Sequence, residues 1–173
     1  MESMKHKRIA FTKETYAKQP SKFVVSNTGT LWMPLVEYKK TEMTFGIDID
    51  GNWILESSMK MWIIGEENPY LFCMPFLEMP FADIKNALMS RIGETDQIAD
   101  IGGIFPFVEI IRFALENSIS EYWIELAMNW FDELDAAYKH ALKPSLEKAI
   151  AVKRLFQKTK HRVQRELKRL SWS

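Results

Sequence analysis

Up to Phe76 the apolar residues alternate or gather in short runs, and from Pro80 onward they recur every three or four positions. "SKFVVSN" and "TLWMPLVEY" read as short strands separated by a turn at Thr28-Gly29. Pro34 cannot donate to a ladder, so the second strand is expected at an edge or broken there. "EMTFGIDI" places Met43, Phe45, Ile47 and Ile49 on one face and Thr44, Gly46 and Asp48 on the other, the period of a half-buried antiparallel strand. "NWILES" and "MKMWIIG" follow as return strands. "GEENP" is a turn and "YLFCMPF" the last strand.

In the second half, "PFADIKNALMSRIG" has Phe81, Ile84, Leu88 and Ile92 at helical spacing between Pro80 and Gly93. "ETDQIADIGG" is expected as a flexible joint. "FPFVEIIRFALEN" is apolar around most of its circumference and predicts a central buried helix. The next helix opens with Ser118 and Glu121 at capping-box spacing, and its stripe of Ile119, Trp123, Leu126, Ala127, Trp130 and Leu134 is expected to face the core. A last helix, over 145–171 after Pro144, could run unbroken.

Strands followed by helices indicate an α+β fold. We expect an N-terminal antiparallel β-meander (about residues 22–77) packed against a C-terminal layer of about four helices (80–171), within a single domain spanning 1–173. A content of 47% hydrophobic and 13% aromatic residues is enough for a sizeable core. No apolar run approaches the ~20 residues that cross a bilayer, so no membrane partner is expected. "MESMKHKR" leads into no apolar signal-peptide core, and the single cysteine, Cys73, forbids an internal disulfide. Both favour a cytoplasmic protein with a buried, inert thiol.

The net charge of zero hides an asymmetry. Residues 1–22 carry +4, 37–100 carry −7, 101–137 carry −6 and 138–173 carry +9. A dipolar chain of this kind attracts an anionic partner at one end, or neutralises itself within the fold.

Candidate chemistry is sparse. Asp48-Ile49-Asp50-Gly51 fits the Asp-x-Asp of haloacid-dehalogenase phosphatases, where the first carboxylate attacks phosphorus. Its strand alternates, however, where that fold needs a continuously apolar parallel strand, and Asn52 stands where a small hydroxyl residue is preferred. A calcium loop with Gly51 at position six would begin at Gly46 and end at Ser57, with no carboxylate at either end. A hairpin turn of type I′ or a relative explains the stretch, with Asp48 facing solvent. His6, His140 and His161 have no second ligand at metal-binding spacing, so no metal or other cofactor is expected. Glu109, Glu116, Glu121 and Glu125 read as a solvated face. No residue is nominated as catalytic, although an enzyme with a dispersed site would escape this reading.

The C-terminal helix carries the one localised signal. Leu146, Ala149 or Ile150, Val152, Phe156, Val163, Leu167 and Leu170 form an apolar stripe interrupted by Thr159, and cations cover the rest. Lys158, Arg162, Arg165, Lys168 and Arg169 are the candidate partner-binding residues. An acidic protein is the leading partner, and nucleic acid is the alternative, against which the lack of interleaved aromatics counts. A purely structural role, with the basic helix lying on the acidic 37–137 surface, competes with both. In size and layout the chain is similar to bacterial toxin-neutralising immunity proteins. That resemblance implies a non-enzymatic binding domain that occludes a partner's functional surface.

Overall fold

The computed structural model describes residues 2–65, 69–93, 101–118, 120–152 and 155–172. The fold is α+β, and the chain divides into two compact units, Met1–Pro106 and Phe107–Ser173.

The first unit opens with a helix, α1 (Glu2–Lys18), and continues into strands β1 (Val24–Val25), β2 (Leu31–Tyr38), β3 (Met43–Asp48), β4 (Trp53–Glu56) and β5 (Met61–Ile64). They form one antiparallel meander in sequence order, as the alternation implies. Beside Pro34 the register shifts, and Leu35 bulges between the pairs Pro34↔Gly46 and Val36↔Phe45. Gly46 is required by close approach: a Cβ there would lie 2.2 Å from the Met33 carbonyl oxygen and 2.7 Å from the Trp32 ring.

The expected last strand, "YLFCMPF", is instead part of a 3-10 helix over Tyr70–Glu78, so among the described residues the last strand ends at Ile64 and not near 77. Pro69 caps this helix and Pro75 lies inside it, and a continuous apolar run does not distinguish a buried strand from a buried turn of helix. Cys73, Met74, Phe76 and Leu77 point inward. Residues 66–68 of the preceding turn lie outside the described residues.

Helix α2 (Phe81–Ile92) buries Ile84, Leu88 and Ile92 and stops at Gly93, whose φ of 84° suits glycine. Of the expected joint, 94–100 lie outside the described residues, while Ile101–Ile104 form a short helix, α3. The core of this unit centres on Phe45, Phe76 and Phe105, whose rings meet at 4.6–6.3 Å between centroids.

The second unit is helical: α4 (Phe107–Asn117), α5 (Glu121–Asp132), α6 (Ala136–Ala141), α7 (Lys143–Val152) and α8 (Gln157–Trp172). Helix α4 is the buried element anticipated, with Phe107, Val108, Ile110, Ile111, Ala114 and Leu115 inside. On α5 the buried residues are Ile124, Ala127, Met128, Trp130 and Phe131, and Leu134 just beyond it is buried too, so Ala127, Trp130 and Leu134 of the expected stripe face the core. Trp123 and Leu126 are half-buried, and Ile119 lies outside the described residues. The capping box does not form either. The helix begins at Glu121, with Ser120 at its N-cap, and the Ser118 hydroxyl bonds the Ser120 backbone.

The single helix expected over 145–171 is two. Leu155 and Phe156 are not helical, and α8 packs on both α7 and α5. One straight helix cannot fold back against itself, so the break is what lets its basic second half lie on α5.

Candidate functional site

The Asp48–Asn52 turn is a hairpin tip built for rigidity. Gly51 has a φ of 72°, and its N–H donates to the Asp48 carbonyl at 3.1 Å. Asp50 does not share the positive φ that a type I′ turn demands, so this is a three-residue loop closed by a left-handed glycine. Asp48 does not face solvent. Its carboxylate, on a residue 5% exposed, accepts from the backbone N–H groups of Asp50 (2.9 Å) and Asn52 (2.8 Å) and from the Asn52 side-chain amide (2.8 Å). Those three bonds give the carboxylate a structural role in closing the hairpin.

The α1 helix locks the tip from outside. Arg8 donates from Nε to the Gly51 carbonyl at 2.8 Å, and its guanidinium lies 4.0 Å from the Trp53 ring centre. A Cβ on Gly51 would fall 2.9 Å from Ile9.

Cys73 is fully buried, and burial pushes its thiol up to about 12, so the thiolate is scarce at neutral pH. Among the described residues no group of three or more His, Cys, Asp or Glu side chains is placed to hold a metal, and no helix is long and apolar enough to cross a membrane.

The five candidate partner-binding residues all lie on α8, which divides them by face. Thr159, Val163 and Glu166 are its buried positions. Three α5 turns meet this side in matching order, so the two helices run in the same direction. Glu121 accepts the Phe156 N–H at 3.1 Å, and Glu125 accepts the Thr159 hydroxyl at 3.0 Å. Arg162 donates to Asn129 at 2.9 Å and to Asp132 at 2.7 Å. Arg162 is therefore an internal tie.

Arg169 leans on Glu166 at 2.9 Å, and Arg165 approaches the same carboxylate at 3.4 Å while 62% of its side chain stays exposed. Lys158 and Lys168 are exposed and bond no described residue. With spacings of three and four residues, Lys158, His161, Arg165, Lys168 and Trp172 follow one another along the outward side, all exposed.

Two features escaped the sequence reading. Glu116, Glu121 and Glu125 tie helices together as well as meeting solvent: Glu116 accepts the Ser145 hydroxyl at 2.7 Å and pairs with Lys148 at 3.0 Å, while Glu125 stays exposed. The Ser145 hydrogen bond holds its carboxyl below the ordinary carboxylate value, against desolvation, with Lys148 and Arg112 adding to the depression. The second is that Phe156 and Trp172, at the two ends of α8, are 78% and 82% exposed.

No protein-family model, curated protein or solved structure matches this chain.

Proposed function

We propose that the protein is a non-enzymatic binding domain, of the inhibitor or immunity type, that covers a functional surface of an acidic protein partner with the outward side of α8. The observation that carries this reading is the division of cations on one helix. Arg162 is engaged with α5, while Lys158, Arg165 and Lys168 are directed outward along α8, with the exposed Phe156 just before Lys158 and the exposed Trp172 one turn after Lys168. Cations flanking an exposed aromatic are a common make-up of binding hot spots, and charge steers association. A cytoplasmic setting suits the single reduced cysteine.

Anisotropy titrations with a labelled acidic helical peptide and with a labelled DNA duplex, each over a salt series, test it. The peptide should bind more tightly, weakening as salt rises, and Lys158→Gln, Arg165→Gln and Lys168→Gln together should remove the binding. Tighter binding to the duplex, with a salt slope that flattens by about 0.9 per lost phosphate contact in the triple variant, would favour the nucleic-acid reading.

A further inference from the structure

Lys158, His161, Arg165, Lys168 and Trp172, all exposed, are separated by three, four, three and four residues along α8. At about 100° per residue, His161 and Lys168 stand nearly opposite the buried Thr159, Val163 and Glu166, so the row runs down the middle of the solvent side. The row is one side chain wide. Gln157, Gln164 and Ser171 flank it on one side without charge. On the other side Arg162 is held by Asp132 and Arg169 by Glu166. Lys158 and Lys168 bond no described residue, and Arg165 keeps 62% of its side chain exposed, so these three cations stand in single file.

A file of this spacing selects among acidic shapes. A three-four repeat drifts by only about 20° per seven residues round a straight helix, an offset that two helices crossing at about 20° accommodate. Lys158 to Lys168 covers about 15 Å along the axis. A second helix with carboxylates at the same repeat meets each cation at the same pitch. In an extended segment, same-side residues are about 6.7 Å apart, so three steps cover about 20 Å and the last carboxylate overshoots Lys168. Trp172, 82% exposed, continues the file one turn beyond Lys168 and offers apolar contact in place of charge.

Resting on the reading of α8 as the surface for an acidic protein, we infer that the partner docks an α-helix along this file. That helix carries Asp or Glu every three and four residues on one face, and an apolar residue opposite Trp172.

The test uses the full chain and two labelled, stapled helical peptides of identical composition. In one, the glutamates and a final leucine follow the three-four repeat on one face. In the other they are spread round the helix. A third peptide, unstapled, alternates glutamate and threonine. The one-faced helix should bind about tenfold more tightly than either of the others, as several well-registered surface pairs would give. Lys168→Gln should weaken that binding by about threefold. Lys160→Gln removes the same charge from an exposed lysine about 100° round the helix from His161, and should leave it unchanged. Trp172→Ala should weaken the one-faced peptide and not its version with alanine for leucine. Equal affinity for the one-faced and spread peptides, with equal losses in Lys160→Gln and Lys168→Gln, would overturn the docked helix and leave α8 a cationic surface. Tightest binding of the alternating peptide would overturn it in favour of an extended segment. Binding of none of the three would overturn the docked helix and the acidic-partner reading together.

Discussion

Thr159 of α8 donates its hydroxyl to Glu125 of α5 at 3.0 Å, and this bond lies midway along a polar seam that begins at Glu121 and ends at Asp132. Thr159 is 2% exposed, so Thr159→Val keeps the shape and removes only the donor. The substitution should cost about 1 kcal/mol in urea unfolding, the usual net value of one hydrogen bond. It should leave ligand binding by the outward cations unchanged.

The Asp48 carboxylate closes the hairpin through three N–H groups, so Asp48→Asn puts an amide N–H where an acceptor is needed. Denaturant unfolding should show a loss of about 1–3 kcal/mol, well beyond that of an exposed surface change. Calcium or magnesium should leave the wild-type melting temperature unmoved.

Trp130 is 2% exposed and meets Phe107 edge-on at 5.5 Å between ring centres. Trp130→Ala combines lost transfer energy with a cavity and should cost about 3–5 kcal/mol. Circular dichroism of the variant should show a large drop in melting temperature or an unfolded chain.

Glu116 links stability to pH. Its carboxyl is depressed below its ordinary value of 4.5 in the folded chain, so its contribution is present above that value and is lost as pH falls through the folded one. Ser145→Ala removes the leading cause of the depression. Thermal melts should show the variant less stable than wild type at pH 7, and the gap should close as pH falls through the depressed folded value.

The period change at Pro80 made the two halves legible, because β3 and α2 each bury one clean face. Helix α1 was not legible. Its fully buried side chain is Thr12, whose hydroxyl lies 3.1 Å from the Ile49 carbonyl, so no apolar stripe marks it. "YLFCMPF" misled because an unbroken apolar run has no period to read. The break before α8 had no glycine or proline to announce it, and its reason is tertiary: Glu121 holds the Phe156 N–H across 35 positions of sequence. For the site, sequence located the basic segment but could not separate Arg162 from Lys158, since only packing on α5 decides which cation faces inward.

Capture from a nuclease-treated lysate measures that separation of inward from outward cations. Wild type, Arg162→Gln, and the triple Lys158→Gln, Arg165→Gln, Lys168→Gln variant are immobilised, and the partner retained on each is quantified. The triple variant should melt like wild type and lose the partner, whereas Arg162→Gln should melt lower and keep it. A triple variant that retains the partner at the wild-type level would show that the outward cations of α8 do not bind it.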